Sequence, residues 1–112
     1  ALPTMTRFAF TCAVALFALP ALAQEEEKAE SCGYQADVVA AVQQARLDRV
    51  AERKVADHIL AQAPTWPEKY NNTIPLIAPW VYEQKRRVIR NEDLAAAWNE
   101  LCLQLPEDAL GQ

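Results

Sequence analysis

Two cysteines, Cys32 and Cys102, bracket the stretch of this 112-residue chain in which apolar residues recur at helical spacing. Any fold for that stretch must bring its two ends together or leave two thiols free. The N-terminal sequence argues for the first. Met5–Ala23 reads as an export signal: Arg7 in a short basic front, the apolar run Phe8–Leu19, a helix-ending Pro20, and Ala21-Leu22-Ala23 as a small-x-small cleavage box. Residues Ala1–Thr4 precede the start methionine, so 1–23 form one segment to be removed. Cys12 leaves with it, and an even pair remains for an oxidising compartment. The alternative is two buried free thiols. A Cys32–Cys102 bond would close a loop of about 70 residues and stabilise a small domain by about 4 kcal/mol. The apolar run of the signal is shorter than the ~20 residues that span a bilayer, and no later run reaches that length, so no transmembrane segment is expected.

Charge divides what remains. Glu25, Glu26, Glu27 and Glu30 crowd residues 24–31, read as an acidic disordered leader. Residues 32–105, the expected helical domain, carry nine acidic and nine basic side chains, and 106–112 form a flexible tail. A neutral domain behind an acidic leader gives no reason to expect nucleic acid as a partner.

Within the domain the apolar spacing is helical. Tyr34, Val38, Ala41, Val42 and Ala45 form one row, and Leu47, Ala51, Val55, Ile59 and Gln62 another. The second lies roughly a third of a turn from the first, so the spacing predicts two helices with a break near Leu47–Val50 and Asp48 as a cap. After Ala63-Pro64, Thr65 and Glu68 stand at capping-box spacing with Pro67 in the first turn. The row Tyr70, Ile74, Ile77 and Val81 runs through Pro75 and Pro79, predicting a bent helix or a second start near Pro79. Asn91, Glu92 and Asp93 open a last helix with the row Leu94, Ala97, Trp98, Leu101, Cys102 and Leu105, stopped by Pro106. The fold class read here is all-α: a small four-helix up-down bundle with a proline-bent third helix, in which Cys32 and Cys102 fall at the same end.

Candidate chemistry is sparse. His58 beside Asp57 has no further histidine or spare thiol to complete a metal site, and the one serine after the signal, Ser31, lies at the frayed start. Both facts make a surface histidine the simpler reading. Paired carboxylates Glu92/Asp93 and Asp37/Asp48 are explained as well by helix starts and surface solvation. Arg46, Arg49, Arg53 and Lys54 interleave with Asp48, Glu52 and Asp57, for which surface ion pairs suffice. Asn71-Asn72-Thr73 matches a glycosylation acceptor that would be idle behind a bacterial-type signal. Lys85, Arg86, Arg87 and Arg90 concentrate positive charge: a docking patch for an acidic partner or anionic surface, or a solvated helix C-terminus. Trp66, Trp80 and Trp98 with Tyr34, Tyr70 and Tyr82 supply core aromatics, or, at Trp80 and Tyr82, a groove at the proline bend.

Cys32-Gly33-Tyr34-Gln35-Ala36, Trp80-Val81-Tyr82 and Trp98-Asn99-Glu100-Leu101-Cys102 together resemble a pattern in small exported proteins of proteobacteria, a likeness that brings no catalytic residue with it. In size, helicity and cysteine count the chain is also similar to the HdeA-type acid-stress chaperones, which implies a stress-protective role. The expectation is a periplasmic or secreted, non-catalytic domain with no metal and no cofactor. It would bind a periplasmic protein through Trp80, Tyr82, Lys85, Arg86, Arg87 and Arg90, with weak docking to anionic surfaces as a further use. A helical module with an apolar pocket for a small ligand or lipid is the alternative.

Overall fold

The computed structural model describes residues 11–106, with side chains from Ala21 onward, and among these residues it is helical without strands. The front of the expected signal and the tail after Pro106 lie outside the described residues. Helix α1 spans Thr11–Leu47, α2 Val55–Leu60, α3 Ile74–Glu83, α4 Arg86–Asn91 and α5 Leu94–Gln104. Short 3-10 helices, Glu52–Lys54 and Glu68–Thr73, lead into α2 and α3. Among the described residues there are five α-helices where the sequence predicts four.

The break after Leu47 is present, and its hydrogen bonds explain it. Val50 N donates to Ala45 O and Arg49 N to Arg46 O, both at 3.0 Å, with Arg49 at φ 64°. This is a Schellman ending, in which a left-handed residue lets two otherwise orphaned carbonyls be satisfied. Asp48 therefore closes α1 and does not cap the next helix; the 3-10 helix that follows has Ala51 at its N-cap without a side-chain bond. The Thr65/Glu68 capping box is likewise not formed, since Pro67 is the N-cap there and no side chain caps it. Asp93 does cap α5, accepting from Ala96 N at 3.0 Å.

α1 is the element on which the others pack. Val38, Val39, Val42 and Ala45 on one side of it are buried against Ile74, Ile77, Ala78 and Val81 of α3, Val55 and Ile59 of α2, Tyr70, Ile89 and Leu94. Tyr34 meets Tyr70 with ring centroids 5.2 Å apart, and Arg46 reaches Val81, so α3 and its lead-in run parallel to α1. α5 runs antiparallel, with Gln43 opposite Leu94 and Gln35 opposite Trp98. Cys32 and Cys102 are disulfide-bonded at the far end of that pair, Cα atoms 5.7 Å apart and both sulfurs buried. Pro75 stands in the first turn of α3, where a missing N–H is harmless, and α3 continues unbroken through Pro79, whose ring faces solvent.

Two expectations need correction at the start of the domain. Residues 24–31, read as disordered, are helical and belong to α1. Ser31, read as frayed, is buried and accepts from Gln35 Nε2 at 3.2 Å. High acidity lowers hydrophobicity without breaking a helix, because Glu, Gln, Lys and Ala are all good helix formers. Gly33 is the weak point of this segment: it sits mid-helix, and a Cβ there would meet nothing within 4 Å. Gly33→Ala should raise stability by about 0.5–1 kcal/mol, seen as a higher urea midpoint at constant slope.

Candidate functional site

The surface that carries the candidate residues is assembled by two polar side chains of α1. Arg46 Nη1 donates to Val81 O and Tyr82 O, both at 2.7 Å, and the guanidinium lies 5.7 Å from the centroid of the Tyr82 ring. Val81 O also accepts from the C-cap Gln84 N at 3.2 Å, and a cation at this helix end adds hydrogen bonds to the last carbonyls while favouring the helix dipole. One turn earlier, Gln43 Nε2 donates to Ile89 O at 2.7 Å and Glu92 O at 2.9 Å, while its Oε1 accepts from Leu94 N at 3.4 Å. Gln43 thus closes the end of α4 and the start of α5 together. Arg46 is thus not the surface ion-pairing residue that the sequence suggests; with Gln43 it is a joint of the fold.

Tyr82 is the third joint. Its hydroxyl donates to Val50 O at 2.7 Å, tying α3 to the turn after α1. Burial, and then the nearby Glu52 carboxylate, push the phenol above its ordinary value, against the opposing charge of Arg46. The folded state therefore holds the phenolic proton more tightly than the unfolded chain. It follows that stability from this group is complete below about pH 10 and is lost as pH rises through the raised folded value. The advantage of the wild type over Tyr82→Phe, about 1 kcal/mol at neutral pH, should shrink in urea titrations carried above about pH 10.

Trp80 is half-buried against Trp98, ring centroids 5.4 Å apart, and Trp98 Nε1 donates to Gln35 Oε1 at 3.1 Å. Trp66 Nε1 donates to Asn71 Oδ1 at 2.8 Å. The aromatics are therefore largely spent inside the fold, and what α3 exposes to solvent is Pro75, Leu76 (77% exposed) and Pro79, with Glu83 at its end.

Lys85, Arg86, Arg87 and Arg90 are all exposed on the short α4 that follows. Lys85 is the N-cap of α4, and Arg86 and Arg87 occupy its first turn. Of the two readings of this run, the solvated helix C-terminus, where cations are favourable, does not hold for three of the four, which are at the opposite end of α4, where each is disfavoured by about 0.3–1 kcal/mol before screening. Only Arg90 has the expected location, in the last turn. The dipole does not account for this patch.

Elsewhere the chemistry is spare. His58 Nε2 lies 2.9 Å from Gln62 Nε2, one turn along. It borders an open depression shared with Arg49, Val50, Ala51, Lys54 and Asp57, whose charged rim does not suit an apolar ligand. Among the described residues no group of three His, Cys, Asp or Glu side chains is placed to hold a metal ion, and every buried side-chain polar atom has a hydrogen-bond partner. No helix of the described residues is long and apolar enough to cross a membrane.

Fold and surface together define a disulfide-stapled helical domain that exposes aliphatic residues on α3 and cations on α4. No protein-family model, curated protein or solved structure matches the chain.

Proposed function

We propose that this is an exported, non-catalytic protein-binding domain of stress-protective type, and that its contact surface is the outer face of α3 and α4. The observation that carries the reading is the cluster Lys85, Arg86 and Arg87 held at the unfavourable end of α4, next in sequence to a helix whose outer edge exposes Leu76. Charge kept where it weakens its own helix is better explained by something outside the fold than by the fold itself. The buried disulfide supports an oxidising compartment. Exposed aliphatic residues on α3 and cations on the helix that follows suit a partner that offers both acidic side chains and a hydrophobic anchor, since the cations steer encounter and the aliphatic contact holds it.

The test is retrieval of partners by cross-linking in periplasmic extract. Leu76→Ser and Arg86→Glu change exposed side chains and should leave the melting curve within about 0.5 kcal/mol of wild type. Each should reduce recovery of the specific partner about tenfold or more. Full recovery by both variants would remove this surface from consideration. Trp80→Ala is the poorer probe, because it also deletes the contact with Trp98.

A further inference from the structure

The cationic face of α4 has a complementary surface on the same chain that it cannot reach. From Gln24, which follows the expected cleavage box, to Glu30, α1 runs ahead of the packed domain with every residue except Lys28 exposed, and it carries Glu25, Glu26, Glu27 and Glu30. α4 docks on α1 at Gln43. Between Glu30 and Gln43 the helix is continuous, and at 1.5 Å per residue the nearest arm carboxylate stands about 20 Å along the axis from the docking point, with the other three farther still. Side chains of Arg and Glu cannot bridge that span, and a rigid helix cannot fold back to shorten it.

Resting on the reading of α4 as a docking face, we propose that its occupant is the acidic arm of a second copy of this chain. Each copy then offers one arm and one patch, so a two-fold axis makes the same contact twice. The arm carries four carboxylates and Lys28, a net charge of −3, against four cations on the patch, while residues 31–84 carry six acids and five bases and so add little to either field. The net charge of −4 makes whole copies repel, so association depends on local complementarity alone and is sensitive to salt.

The measurement is sedimentation equilibrium on the purified protein. At about 20 mM salt the wild type should be dimeric, and its dissociation constant should rise about tenfold or more by about 500 mM, where the screening length falls to a few ångströms. The double variant Arg86→Glu/Arg87→Glu and the double variant Glu26→Lys/Glu27→Lys should each be monomeric. Mixed in equal amounts they should form a heterodimer, because both contacts are again between opposite charges, and the mixture also shows that neither variant is misfolded. A wild type that is monomeric at low salt, a dimer that survives both reversals, or a mixture that stays monomeric would each overturn the proposal. The two readings separate cleanly: a monomeric wild type that still loses its cross-linked partner on Arg86→Glu defeats the arm exchange and leaves the partner-binding surface standing.

Discussion

Reduction of the Cys32–Cys102 bond lowers the melting temperature by roughly 15–30 °C. The closed loop spans 70 residues. Constraining such a loop in the unfolded chain is worth about 4 kcal/mol, and in a domain of this size each kcal/mol moves the midpoint by about 4–8 °C. The bond joins the antiparallel α1 and α5, with the hydrogen-bonded chain Ser31, Gln35 and Trp98 beside it. Those neutral bonds each contribute only about 1 kcal/mol and cannot replace it. Thermal melts with and without reductant, with thiol titration to confirm that both sulfurs are free, decide the matter. A curve unchanged after complete reduction would mean that helix packing alone holds α5 on α1.

Arg46→Ala is expected to cost about 2–4 kcal/mol, an effect large enough to rival a core truncation. It removes one of the two hydrogen bonds to Val81 O, which keeps Gln84 N, together with the bond to Tyr82 O and the cation above the Tyr82 ring. Arg46→Lys should recover part of the loss, because an ammonium supplies the charge without the planar fork that addresses two carbonyls at once. Arg53→Ala, at an exposed site in the 3-10 helix before α2, should stay within about 0.5 kcal/mol of wild type. Urea unfolding of the three variants at one pH gives the ranking. Equal midpoints for Arg46→Ala and Arg53→Ala would show that the α3 terminus is satisfied by water instead.

Periodicity was legible wherever a row was long and one-sided. Tyr70, Ile74, Ile77 and Val81 are all buried, as their spacing demands. In α5 the same logic reaches only half way: Leu94 and Cys102 are buried while Leu101 stays 49% exposed, because α5 packs chiefly on α1 and needs only a narrow stripe. α4 escaped the reading altogether. Six residues with Val88 and Ile89 as the only apolar pair contain no repeat to detect, so its cations were joined to the end of the preceding helix. Gln43 and Arg46 escaped for a different reason. Their partners lie 35 to 51 residues away, and nothing local marks a polar side chain that will serve a distant helix end. The covalent link was legible because cysteine chemistry depends on compartment and parity more than on position. The cationic run was legible as a patch, but its setting was not.

The disulfide also fixes an order in time. A chain made from its N-terminus presents Cys32 early and Cys102 only when the domain is almost finished. In the interval α1 has no α5 to cover its buried stripe, and α4, only six residues long, is far too short to persist alone. Cys32 therefore spends most of synthesis as an unpaired thiol. The bond cannot form until the C-terminal helix that carries Cys102 is present.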